Sequence, residues 1–121
     1  RKNKIMRKLN LDKEKNLRVK NKDLKRLTLF KSRLSKHMPI DKIILFGSFA
    51  KGRAHKFSDI DLIIVSPKFE GKDFRYRPIG FYKYWNLDKP FDFLCYTPEE
   101  FSKLRKQITI VREAVREGIE I

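Results

Sequence analysis

Cysteine, acidic residues and long apolar runs are all scarce in this chain, and each scarcity removes a class of protein. Its single cysteine, Cys95, excludes an intramolecular disulfide and a cysteine-built zinc cluster. One thiol also fits a reducing compartment, so a cytoplasmic location is expected. No apolar run approaches the roughly 18 residues that cross a bilayer, and no signal-peptide core stands near the start, so no membrane role is expected. Only 15 acids face 30 Lys and Arg in 121 residues, which leaves a formal charge of +15. What the chain does have is 40% hydrophobic residues, including ten Phe, enough for a single folded core.

The positive charge is uneven. Residues 1–22 contain ten Lys or Arg and two acids. Such an excess points to polyanionic partners, nucleotides and nucleic acid among them, or else to a solubilising tail. Residues 1–21 read as that basic tail or as a weak helix marked only by Ile5, Leu9 and Leu17. Residues 22–121 read as one domain.

Apolar periodicity sets the elements of the domain. Leu24, Leu27, Phe30, Leu34 and Met38 recur at steps of three and four, predicting a helix capped at Asn21 and closed by Pro39. Ile43–Phe46 is a strand-length apolar run, and Asp59–Val65 is a second one rich in β-branched residues. Phe74–Trp85 is expected to be helical despite Pro78, and Phe91–Tyr96 is the third strand. Thr97-Pro98-Glu99-Glu100 is a capping box, and Ile108, Val111 and Val115 mark a last helix with Gly118 as its C-cap. The expected class is α/β of the α+β type, a small mixed three-stranded sheet flanked by helices.

This order has a chemical consequence. Gly47-Ser48 ends the first strand and Asp59-Ile60-Asp61 begins the second, so bringing them together requires the two strands to run antiparallel. The ten residues between them allow one short helix and a return. A crossover from Val65 to Phe91 makes the second and third strands parallel, which brings Asp92 to the same end of the sheet. Asp59 and Asp61 stand two apart and share a face. Three converging carboxylates suit Mg²⁺, which takes oxygen ligands, water and phosphate.

Gly47 leaves room for a phosphate, and the Ser48 hydroxyl and nearby amides can donate to it. A helix starting at Ser48 or Phe49 would add its positive end, and Lys51 and Arg53 lie within sequence reach. The reaction that fits is metal-assisted nucleotidyl transfer, with Asp92 as ligand or base. Plainer readings stand beside it: Asp59 as a turn residue, Asp61 as an edge charge, Gly47 as a tight turn. His37 and His55 lack ligand spacing and read as surface residues. Phe74, Tyr76, Phe81, Tyr82, Tyr84 and Trp85 read as packing on the sheet rather than stacking bases, and Arg75 and Arg77 could meet phosphate or a partner.

Gly47-Ser48, ten residues, then Asp59-Ile60-Asp61 resembles the signature of minimal nucleotidyltransferases in the polymerase-β-like superfamily. Phe91-Asp92-Phe93 is similar to that family's later strand with its third aspartate, and "YTPEEF" (96–101) and "VREAVREGIEI" (111–121) extend the likeness. The resemblance implies a palm-like nucleotidyltransferase fold. It implies ATP as substrate, a two-metal Mg²⁺ site on Asp59, Asp61 and Asp92, and triphosphate held by Gly47 and Ser48. It also implies an antitoxin that adds AMP to a tyrosine of a helical HEPN RNase toxin. Many members carry Arg directly after Gly-Ser; Phe49 stands here, leaving Lys51 or Arg53 as the phosphate-contacting cation. The alternatives are a non-catalytic antitoxin that blocks its toxin by contact, and a basic nucleic-acid-binding domain.

Overall fold

The structure, a computed structural model, describes residues 19–54 and 58–121. The basic stretch up to Arg18, and His55 with its two successors, lie outside the described residues. Helix α1 spans Asn21–Ser35 and lays Leu27, Phe30 and Leu34 on one buried face, as their spacing predicts. Asn21 is its first residue rather than its cap: Lys20 holds the cap position and supplies no side-chain bond.

Three strands follow: β1 (Lys42–Phe46), β2 (Ile60–Val65) and β3 (Phe91–Tyr96). Strands β1 and β2 pair antiparallel, with Phe46 opposite Asp61, and β2 and β3 pair parallel, with Asp61 opposite Asp92. Both orientations agree with the sequence reading. Helix α2 (Pro98–Leu104) begins in the expected capping box, with Thr97 Oγ1 accepting from the Glu100 amide and Glu100 accepting from the Thr97 amide. Helix α3 (Ile110–Glu117) starts at a Thr109 cap.

A fourth strand, β4 (Ile119–Glu120), pairs antiparallel with β1, giving the order β3-β2-β1-β4. Gly118 is the expected C-cap of α3, its amide donating to the Ala114 carbonyl at 2.7 Å, and its extended backbone also makes it the joint between helix and strand. A Cβ there would lie 2.3 Å from the Ala114 carbonyl and 2.7 Å from that of Leu45, so only glycine lets α3 close onto β1.

The sheet is covered on both faces. Ile43, Leu45, Ile60, Leu62 and Ile64 meet α1 and the aromatic crossover, while Ile44, Ile63 and Val65 meet Phe101 of α2 and Val111 and Ala114 of α3. Central β2 is consequently apolar on both sides after Asp61, as a strand buried on two faces must be.

The crossover is where the expected helix fails. Residues 74–85 form two separate 3₁₀ turns, Phe74–Tyr76 and Phe81–Tyr84. Pro78 lacks an amide, and Gly80 takes φ +92 to re-aim the chain, so no continuous helix can run through them. Phe81 and Trp85 pack inward on Phe93, the packing role expected for them. Phe74, Tyr76 and Tyr82 remain exposed.

Arg77 of the crossover is buried, and its guanidinium is spent within the fold. It donates to the Lys72 and Cys95 carbonyls and forms a two-pronged pair with Glu100 at 2.6 and 3.2 Å. Arg75 stays exposed beside Asp73. His37 is at the surface, stacked on Tyr84.

Candidate active site

The site begins with a backbone requirement. Where β1 ends, Gly47 turns the chain at φ +75, a left-handed conformation that L side chains rarely adopt. An added Cβ would come within 2.3 Å of Asp61 Oδ2. The bare glycine thus makes room for the carboxylate of the neighbouring strand, and both residues line one cavity.

The loop beyond it is anchored by Phe49 and Ala50, both buried in the core. It is not a helix. Hydrogen-bonded turns carry it, with the Lys51 amide on the Gly47 carbonyl at 3.2 Å and the Arg53 amide on the Ser48 carbonyl at 2.9 Å. The expected positive helix end at Ser48 is therefore replaced by a short turn whose first residues are half-buried.

Strand pairing gathers the acids. Asp61 shares its face with Ile63 and Val65, and Asp92 shares a face with Leu94 and Tyr96; all four apolar residues pack on the α2–α3 side. Asp61 and Asp92 are register partners on adjacent parallel strands, and exposed Asp59 directly precedes β2. Partial burial pushes the Asp61 carboxyl above its ordinary range, and the negative charges of Asp92 and Asp59 push it further. Among the described residues, neither the Asp61 nor the Asp92 carboxylate has a side-chain hydrogen bond or a cation partner. Like charges held side by side without a counter-ion are costly, and they suit a site that receives a cation from outside.

Mg²⁺ fits this donor set. It commonly uses one or two carboxylates and completes its shell with water and phosphate oxygens. Asp61 and Asp92 would hold it, with Asp59 beside them. No group of three acidic, His or Cys side chains among the described residues is arranged to enclose a metal ion alone. The expected three-carboxylate convergence is thus a shared edge, not a closed cage.

A cavity of about 240 Å³ opens beside Asp61. Phe46, Gly47, Lys51 and Asp61 form one wall, and Ile110, Glu113, Ala114, Glu117 and Gly118 form the other. Its mixed lining can take an apolar ring or a sugar against Ile110 and a charged group against Asp61 and Lys51.

The two candidate phosphate cations occupy different positions. Lys51 lines the cavity, but its Nζ sits 3.0 Å from Glu117 Oε2 and 3.7 Å from Glu113 Oε1. Arg53 is exposed and does not line the cavity. Lys51, by its hydrogen bond first and its charge second, holds the Glu117 carboxyl below the usual range, with smaller help from Arg116 and Arg53. Glu113 and Glu117 escaped the sequence reading. They stand one helical turn apart, a spacing any solvated helix face shows, and lie more than sixty residues from Lys51.

The family model for a nucleotidyltransferase domain matches residues 24–116. The fold is similar to the crystal structure of a protein from Sulfolobus solfataricus that carries a provisional nucleotidyltransferase name. The likeness has a TM-score of 0.54 and 18% identity, and covers 76% of this chain and 78% of that one. No curated protein matches the sequence.

Proposed function

The chain belongs to the nucleotidyltransferase domain family, and from that premise we propose that it transfers AMP from ATP to a hydroxyl of a protein partner in a Mg²⁺-dependent reaction. One observation carries the reading: Gly47 faces Asp61 with no intervening side chain, and Asp61 lies in register with Asp92. A glycine turn suited to phosphate beside adjacent carboxylates suited to the accompanying cation supports that reading.

The roles follow from position. Gly47 and Ser48 receive the triphosphate, with backbone and hydroxyl donors aimed at its oxygens. Asp61 and Asp92, with Asp59 beside them, would hold the cation that accompanies the nucleotide. Asp92 accepts the proton of the attacking hydroxyl, whose oxygen bonds to the α-phosphorus as the α–β bridge breaks and pyrophosphate leaves. When bound, Mg²⁺ neutralises the phosphate charge that builds up in that step. The partner implied by the sequence resemblance is a helical HEPN RNase toxin, which the transfer would silence. That would make this protein an antitoxin.

The test uses the protein, ATP labelled on the α-phosphate, Mg²⁺ and the HEPN protein encoded beside it. Label should move to the partner, vanish with a chelator, and fall about a thousandfold in the Asp59→Asn/Asp61→Asn variant. Labelling that survives in that variant overturns the site. A second reading, neutralisation by contact alone, is favoured by the engagement of Lys51 with two glutamates instead of an open phosphate position. Full neutralisation of the toxin in cells by the same double variant would establish contact over chemistry.

A further inference from the structure

Among the described residues Lys51 is the basic side chain that lines the proposed nucleotide cavity, yet two carboxylates already occupy it. Its backbone amide is tied to Gly47, so its stem rises one turn from the residue that faces Asp61. Its ammonium crosses the cavity to α3 and meets Glu117 at 3.0 Å and Glu113 at 3.7 Å. All three side chains line the same cavity as Asp61 and Gly47. They are not locked there: the Lys51 side chain is 36% exposed, Glu117 51% and Glu113 63%. Ion pairs this wet are weak, and water or another anion can replace either partner at little cost.

The chemistry of the two carboxylates resembles that of a ligand. Two anionic groups, one turn apart on a rigid helix, offer an ammonium what a polyphosphate offers. We propose that Glu113 and Glu117 occupy the polyphosphate's place on Lys51, and that an incoming nucleoside triphosphate takes Lys51 from them. Lys51 is thereby a specificity-determining residue. A ligand carrying several adjacent negative charges displaces two glutamates, whereas a nucleoside or a monophosphate offers too little charge to do so. The exchange also frees α3 from the loop after β1, because this pair bridges them across the cavity mouth. The inference rests on the reading of this cavity as the nucleotide site.

The experiment is ATP, AMP and adenosine binding by calorimetry at low salt, with the melting temperature of each variant as a folding check. Wild-type protein should bind ATP well above AMP. Glu113→Gln/Glu117→Gln removes the competitor, so ATP should bind about threefold tighter, and the preference over AMP should narrow. Lys51→Ala should weaken ATP at least about tenfold while leaving adenosine unchanged. The exchanged pair Lys51→Glu/Glu117→Lys separates a bridge from an exchange. It restores the salt bridge and the melting temperature, but puts an anion beside the phosphates, so ATP binding should stay weak. Wild-type ATP affinity in that exchanged protein, or unchanged affinity in the double Gln variant, overturns the proposal. Absence of ATP binding in wild-type protein and every variant overturns the nucleotide reading beneath it.

Discussion

The two ends of the sheet are built on opposite principles. Where β2 and β3 finish, polar groups are satisfied. Ser66 Oγ donates to the Pro39 carbonyl at 2.6 Å, the Ser66 amide to Tyr96, and Arg77 spends its guanidinium on Glu100 and two carbonyls. Glu100 closes the ring by capping α2 through the Thr97 amide. Where β2 and β3 begin, the Asp61 and Asp92 carboxylates stand together without a partnering cation among the described residues, and Asp61 fills the room that Gly47 leaves. One end spends its polar groups on the fold; the other keeps them for a ligand. That difference is what favours the proposed site at the open end.

Breaking the open end should have the largest effect. Gly47→Ala drives a methyl toward Asp61 and forces an alanine to φ +75. Labelling of the partner should fall at least about a hundredfold, with a stability loss of only about 1–2 kcal/mol. Equal losses of folding and labelling, followed by urea melts beside the transfer assay, would erase the distinction between the ends.

Breaking the closed end should do the reverse. Arg77→Ala removes the buried guanidinium and strands the Cys95 and Lys72 carbonyls. It should cost about 2–3 kcal/mol in a urea melt, below the full cost of a buried pair because Glu100 is partly exposed. Labelling by the folded fraction should be retained.

Acid sharpens the comparison with the smallest effect. The Arg77 hydrogen bond holds Glu100 below its ordinary range, so its stabilisation is full above that range and is lost as pH falls from there through the lowered value. Asp61 has its carboxyl raised, so the folded state binds that proton more tightly. Its charge destabilises the fold at neutral pH, and the penalty is relieved as pH falls through the raised value toward the ordinary one near about 4. Asp61→Asn should therefore melt about 2 °C higher than wild type at pH 7, lose that advantage in acid, and be inactive. Glu100→Gln should melt lower at pH 7 and converge with wild type in acid. Thermal melts between pH 7 and 3 decide both signs.

Much of the open end could be read from the chain because its logic is local. Gly47-Ser48 and Asp59-Ile60-Asp61 each lie at a junction between an apolar run and a polar loop, and strand direction follows from the length between them. The capping box at Thr97 was legible for the same reason. The crossover was not. Its aromatics suggested a helical face, but Pro78 and Gly80 break the backbone within seven residues, and tertiary packing of Phe81 and Trp85 chose the turns. Strand β4 is two residues long, too short for any period to reveal. The Lys51 pairing depends on how α3 lies across β1, which no spacing within either element encodes.

The pairing of Asp61 with Asp92 also acts as error correction. Both residues sit on one rung of the β2–β3 ladder, and the residues flanking Asp92 are Phe91 and Phe93. A slip of one position would replace the second carboxylate with a phenyl ring and turn every apolar residue of β3 to the wrong face. A misaligned molecule is thus unstable and, under the proposed function, chemically silent as well, so one rung checks both the fold and the proposed site.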